Sequence, residues 1–175
     1  MMEAELKSII RDFPDYPKPG IIFKDISPIL LDMNLYGKVI GIFVERIREL
    51  NIDAIVGVES RGFWFGPSIA HKLNIPFIPI RKKGKLPGET FSYSYDLEYG
   101  SATIEVQKDS LSKGACVLIH DDLLATGGTA KAAAELVNQA GAKTVAFAFL
   151  VNLTFLNAEV DLKGISNNII SLVNY

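Results

Sequence analysis

The chain has 175 residues, 49% of them hydrophobic and 22% charged, and a formal net charge of −2. That is enough apolar content for one domain with a sizeable core, and it gives no general pull toward nucleic acid or an anionic membrane. The amino terminus, Met1 to Lys7, lacks the apolar core of a signal peptide, and no apolar run reaches membrane-spanning length, so a cytoplasmic setting is expected.

In chain order, a short helix is expected over about Glu3 to Asp12, and a Pro/Gly-rich segment then reaches Gly20. The stripe of Leu35, Val39, Phe43 and Ile47 predicts an amphipathic helix from about Asn34 to Leu50. Strand Ala54 to Val58, helix Phe63 to Leu73 and strand Phe77 to Ile80 follow. Residues 84–100 have no clear period, and a short strand is expected at Thr103 to Val106. Ala115 to Ile119 reads as a buried strand that contains Cys116, the only cysteine, as a small buried hydrophobe without a disulfide partner in the chain. A helix runs from about Lys131 to Ala140 and stops at Gly141, and strands near Thr144 to Leu150 and Ile169 to Val173 complete the pattern. Alternating strands and helices predict an α/β fold with a parallel sheet flanked by helices on both faces. Ligands in such sheets bind beyond the carboxyl ends of strands.

The richest motif lies at one such end. The run Val117-Leu-Ile-His120-Asp121-Asp122-Leu123-Leu-Ala125-Thr126-Gly127-Gly128-Thr129-Ala130 passes from an apolar strand through two carboxylates to a Thr-Gly-Gly-Thr turn and a helix. Glycines let a ligand approach the backbone, and Thr126 or Thr129 is expected to cap the helix. The first N–H groups of a helix lack partners within it and favour an anion. Carboxylates beside such donors suit the hydroxyls of a sugar phosphate. The run is neither a nucleotide P-loop nor a dinucleotide fingerprint, because it lacks their Lys and glycine spacing. His120 reads either as a satisfied strand-end histidine or as a group held protonated by the acids.

Three other segments stand at strand ends or in loops. Gly57-Val-Glu-Ser60-Arg61-Gly-Phe63 offers backbone amides and a guanidinium to a second anion, or only a helix start with Ser60 as cap. Arg81, Lys82 and Lys85 form a cationic cluster in a Gly-punctuated loop, a solvated face or an anion site. Residues 84–100 are a candidate lid with Gly84, Gly88 and Gly100 as hinges and Tyr93, Tyr95 and Tyr99 as covers.

The acid-and-glycine run resembles the phosphoribosyl pyrophosphate signature of type I phosphoribosyltransferases, and its Leu-Leu-Ala variant is similar to the adenine phosphoribosyltransferases in particular. Phe13 to Pro28, Gly57 to Phe63, Arg81 to Gly88 and Leu97-Glu98-Tyr99-Gly100 agree with that match, which extends from about Phe13 to Leu153. His120 departs from it, since the family usually has an apolar residue there. Lys24 stands where the family often has Arg.

The resemblance implies one phosphoribosyltransferase domain over residues 1–175, with a base-binding hood over about 1–33 and a lid over about 84–100. It implies that Asp121 and Asp122 hold the ribose hydroxyls, while Ala125, Thr126, Gly127, Gly128 and Thr129 hold the 5-phosphate. Ser60, Arg61, Arg81, Lys82 and Lys85 would bind pyrophosphate, with Arg61 and Glu98 catalytic. Phe23 and Leu123 would sandwich adenine, and the backbone near Ile21, Phe23 and Lys24 would read its edge. The implied reaction is transfer of the phosphoribosyl group from phosphoribosyl pyrophosphate to adenine, giving AMP and pyrophosphate in purine salvage. Mg²⁺ is expected on phosphoribosyl pyrophosphate near Asp121 and Asp122, without a dedicated protein site. A homodimer is expected, and neither nucleic acid nor membrane is an expected partner. The alternatives are a transferase for another base, such as xanthine, hypoxanthine or orotate, a sensing regulator, or a ribose-phosphate-binding protein that does no chemistry.

Overall fold

The computed structural model describes residues 2–96 and 101–175. Helix α1 (Met2–Ile9) leads into strands β1 (Arg11–Pro14) and β2 (Ile22–Asp25), then helices α2 (Ser27–Leu31) and α3 (Met33–Ile47). Strand β3 (Ala54–Val58), helix α4 (Gly66–Leu73), strand β4 (Phe77–Lys82), strand β5 (Thr90–Asp96) and strand β6 (Ser101–Gln107) follow. The chain continues through β7 (Cys116–Leu124), α5 (Gly128–Gln139), β8 (Lys143–Asn152), α6 (Ala158–Leu162) and β9 (Ile169–Asn174).

Among the described residues the main sheet has seven strands in the order β5-β6-β4-β3-β7-β8-β9. The pairs β4–β3, β3–β7, β7–β8 and β8–β9 are parallel, and β6 runs antiparallel to both β4 and β5. Every residue of β3 is buried, as expected of a central strand covered on both faces. On one face Val117, Ile119, Leu136 and Phe147 share a core, and on the other Leu118 packs with Val39, Phe43 and Ile69. The expected parallel sheet with helices on both faces is therefore present, with an antiparallel hairpin at one edge. A separate antiparallel pair, β1–β2, aligns Phe13 with Phe23 and Asp12 with Lys24. This pair is the small N-terminal hood.

Several boundaries move for local reasons. Helix α1 stops at Ile9 because Arg11 enters the hood hairpin. The Asp32 side chain accepts from the N–H groups of Asn34 and Leu35 and starts α3, which ends at Ile47 rather than Leu50. The helix expected from Phe63 is a 3-10 turn over Arg61–Phe63, followed by α4. Part of the segment 84–100 is regular, since Thr90–Asp96 pairs with β6 as β5. Cys116 begins β7 and is half-buried, not buried, and its N–H donates to Asp53 Oδ2 at 2.7 Å. The strand β7 also runs on past Ile119 through both acids, because Asp121 and Leu123 stay in register with Phe149 and Val151 of β8.

Candidate active site

The carboxyl ends of β3, β4 and β7 meet at a cleft of about 650 Å³. Glu59, Ser60, Arg61, Lys82, Lys85, Tyr95, Asp121, Asp122 and Thr129 line it. Residues expected for ribose and for pyrophosphate are thus gathered around one space. A smaller recess of about 70 Å³ adjoins it, formed by residues from Leu123 to Ala130 and sharing Asp121 and Thr129 with the cleft. Its size and donors suit one phosphoryl group.

The recess sits at the start of α5. Gly127 occupies the helix cap with φ of 82°, a left-handed conformation that favours glycine. Neither Thr126 nor Thr129 caps the helix through its side chain, so that expectation is corrected: the glycine conformation makes the turn instead. Thr129 Oγ1 is 3.1 Å from the Tyr95 hydroxyl, which ties β5 to the glycine turn. The opening N–H groups of α5 have no carbonyl one turn back within the helix, an arrangement that favours an anion.

The acids above this turn are tightly placed. The Asp122 N–H donates to Asp121 Oδ1 at 2.9 Å, and Arg61 Nε is 3.1 Å from Asp122 Oδ2. Burial, and then the Asp122 charge, push the Asp121 carboxyl well above the ordinary carboxylate range. Burial raises Asp122 as well, against the pull of Arg61. Asp122 Oδ2 has no aligned hydrogen-bond donor despite the nearby guanidinium. Such a pair resists carrying two charges alone and favours hydroxyl donors or a cation. Among the described residues no group of three or more His, Cys, Asp or Glu side chains is placed to hold a metal ion.

The loop after β3 lies against these acids. A Cβ at Gly62 would approach the His120 carbonyl to 2.9 Å and Asp121 Oδ1 to 3.3 Å, so this close approach needs glycine. The Glu59–Ser60 peptide is cis. Ser60 precedes the 3-10 turn without a side-chain cap bond, and its carbonyl accepts from the Phe63 N–H at 3.1 Å.

Glu59 is the cleft residue that the motifs did not single out. Its Oε1 accepts from Lys85 Nζ at 2.5 Å, and its Oε2 accepts from Arg81 Nε at 3.3 Å and the Lys82 N–H at 3.0 Å. Burial pushes this carboxyl up, but those three donors outweigh it and hold it at about 2. Arg81 also donates to the Lys85 carbonyl at 3.3 Å. One carboxylate therefore organises the cationic loop. The signal available in the sequence was an acid two residues before Arg61 and a distant basic cluster.

Arg61 also joins the cleft to the hood. Its Nη1 donates to the Lys24 carbonyl at 3.4 Å, and its guanidinium carbon lies 4.9 Å from the centre of the Phe23 ring. Phe23 meets Tyr16 edge-on at 5.3 Å. The Ile21 N–H donates to the Lys18 carbonyl and the Ile21 carbonyl accepts from the Tyr16 N–H, so Ile21 already serves the hairpin turn. Leu123 packs partly on the core and lines the recess, while the ring contacts of Phe23 are with Tyr16 and Arg61. Glu98, with Leu97, Tyr99 and Gly100, lies outside the described residues.

His120 is fully buried and faces the core rather than the acids. Its Nδ1 is 3.0 Å from the Ala148 carbonyl, and its ring meets Phe43 edge-on at 5.4 Å. Burial lowers its pKa to about 4, against the Ala148 bond that raises it. It is a neutral mid-strand histidine, and the protonated alternative is corrected by its apolar surroundings. Its Nε2 has no hydrogen-bond partner, so it is only half satisfied.

Known proteins resemble this chain in sequence and fold. Residues 27–161 match the family described as "Phosphoribosyl transferase domain". Adenine phosphoribosyltransferase of Cytophaga hutchinsonii is 49% identical over 175 residues, covering 100% of this chain and 97% of that one. The crystal structure of adenine phosphoribosyltransferase from Thermoanaerobacter pseudethanolicus superposes with a TM-score of 0.95 at 44% identity, covering 100% of both chains. The Saccharomyces cerevisiae enzyme, crystallised with D-2,5-dideoxy-2,5-imino-altritol 1,6-bisphosphate and adenine, has a TM-score of 0.88 at 43% identity, covering 97% of this chain and 96% of that one. The chain belongs to the phosphoribosyltransferase family and, within it, to the adenine phosphoribosyltransferases.

Proposed function

We propose that the cleft binds phosphoribosyl pyrophosphate along the sheet edge and adenine against the hood, and transfers the phosphoribosyl group to the base. Adenine phosphoribosyl transfer in purine salvage is the activity of the family. The observation that carries the assignment to these residues is the shared cleft, in which Asp121 and Asp122 stand between the α5 phosphate turn and the Glu59–Lys85 loop.

In this reading the 5-phosphate sits on the N–H groups of Ala125 to Thr129 and holds the sugar away from the reacting bond. Asp121 and Asp122 accept from the ribose hydroxyls. At C1 the bond to pyrophosphate breaks as the adenine nitrogen forms its bond. The leaving group gathers negative charge, and Ser60, Arg61, Arg81, Lys82 and Lys85 stabilise it. Glu98 takes the proton released by the base. The segment 84–100 closes over the site and excludes water. Mg²⁺, carried by phosphoribosyl pyrophosphate beside Asp121 and Asp122, would neutralise phosphate charge. Asp122 Oδ2, which has no aligned hydrogen-bond donor, supports placing such a substrate-borne ion there.

Phe23 offers a face to adenine once Arg61 turns toward pyrophosphate. The yeast relative was crystallised with adenine and an imino-altritol bisphosphate together, which supports a site that takes a base and a bisphosphate. A homodimer and a cytoplasmic setting complete the reading, and sedimentation tests the first. The direct experiment supplies phosphoribosyl pyrophosphate, Mg²⁺ and adenine, hypoxanthine or xanthine, and weighs the product. AMP from adenine is expected to dominate, and product only from a 6-oxo purine would overturn the assignment, since a 6-amino reader leaves buried groups unpaired with such a base.

A further inference from the structure

We propose that Tyr175 is a positioning residue for adenine: its ring and the Asp12 carboxylate clamp the Lys24 ammonium, and this clamp sets the base-binding strand β2. The inference rests on the hood being the adenine side of the site.

The hood needs an external tether. It is a pair of four-residue strands, and such hairpins are marginal alone in water. Its outer residues Phe13 and Ile22 are 47% and 54% exposed, so apolar burial holds it weakly. Lys24 is the exception, at 8%. A buried ammonium must stay paired, because leaving it unpaired costs more than the pair contributes. Here Lys24 Nζ donates to both Asp12 oxygens at 2.8 Å, and lies 3.7 Å from the centre of the Tyr175 ring. A desolvated cation over an aromatic face is the stronger form of that interaction.

Tyr175 is itself fixed to the body of the fold. Its N–H donates to the Asn152 carbonyl at 2.9 Å. Its carbonyl accepts from the Thr154 N–H at 2.9 Å and the Thr154 hydroxyl at 2.6 Å. Lys7 of α1 lies 5.2 Å from the same ring, and Glu3 holds both Lys7 and the N–H of Asn174. The clamp therefore ties β2 to the end of β8 and to α1. On β2, Lys24 directly follows Phe23, and the Lys24 carbonyl accepts from Arg61. The Lys24 side chain is spent on the clamp. The base is then read by β2 backbone and the Phe23 ring, with Lys24 setting where they stand.

The test compares Tyr175→Ala, Tyr175→Phe and Asp12→Asn with the unaltered protein, measuring KM for adenine, KM for phosphoribosyl pyrophosphate and kcat. Tyr175→Ala should raise KM for adenine about tenfold, with KM for phosphoribosyl pyrophosphate and kcat within about twofold. Tyr175→Phe keeps the aromatic face and should retain ordinary values. Asp12→Asn, whose side chain is half exposed, should keep the fold and raise KM for adenine by a smaller factor, which covers the case of Tyr175→Ala failing to fold. An unchanged KM for adenine in Asp12→Asn and Tyr175→Ala, or an equal rise for both substrates, would overturn the proposal. Absence of AMP formation by the unaltered protein would instead remove the adenine reading itself.

Discussion

The two halves of the site are built on different foundations. Asp121 and Asp122 belong to β7, a strand flanked by β3 and β8, and the loop bearing Arg61 rests directly on them. The hood is a two-stranded hairpin at the periphery, joined to the rest by the Lys24 clamp and by Arg61. The sheet-borne half is rigid because moving an acid means breaking a central strand. The hood's own ladder is short, so its position depends on those tethers. In the proposed reaction the sheet-borne half would fix the sugar phosphate, and the tethered hood would set where the base stands.

Disturbing the rigid half should have the largest effect. In Gly62→Ala the new Cβ would meet the backbone carbonyl of His120 at 2.9 Å, and that carbonyl belongs to a central strand. The Arg61 loop must therefore move away from Asp121 and Asp122. Misplacement on the scale of an ångström costs about a hundredfold in rate. Steady-state kinetics should show a loss of that order, with the chain still folded by circular dichroism. A rate within a few fold of the parent would mean that the loop is more adaptable than the sheet beneath it.

A second change separates the two sides of β7. His120 shares the strand with the acids yet faces the core. The unfolded chain binds a proton at His120 below about 6.5, whereas the folded chain resists it until about 4. Protonation therefore favours unfolding, and stability falls as pH drops through that window. Integrated over the window, the loss is about 3 kcal/mol. His120→Leu should flatten the difference in unfolding free energy between pH 7 and pH 4 by about that amount, as read by urea denaturation at each pH. An unchanged pH dependence would show that His120 is charged or solvated in the fold. Loss of adenine turnover with unchanged stability would place it in the site instead.

Much of this architecture was legible. The alternating pattern led to the parallel sheet because buried central strands are short apolar runs, as in Ala54 to Val58. The Thr-Gly-Gly-Thr turn and both acids stand out in the sequence because phosphate and hydroxyl recognition would need such groups at a strand end, and the structure gathers them around one cleft. What was missed lies where tertiary contact overrides local pattern. Asp121 and Asp122 read as a strand terminus, but pairing with β8 carries the strand through them. Thr126 and Thr129 read as helix caps, but Gly127 takes that position and Thr129 turns to Tyr95. The hood hairpin was hidden in a Pro/Gly-rich stretch with no strand alternation. Glu59 looked like one residue of a loop, since its three cationic or N–H partners lie more than twenty positions away. Lys24 looked like a base contact, since nothing local indicates that Tyr175 lies over it.

The most direct test of the division is calorimetric titration of phosphoribosyl pyrophosphate with Mg²⁺ into Phe23→Ala, paired with its KM for adenine. Removing a stacking ring from a base typically costs about 1–3 kcal/mol, so KM for adenine should rise roughly 5- to 150-fold. Affinity for phosphoribosyl pyrophosphate should stay within about twofold, because its proposed contacts lie on β7, α5 and the loops after β3 and β4. A parallel loss of both affinities would contradict the account, since the hood would then be part of the phosphate site.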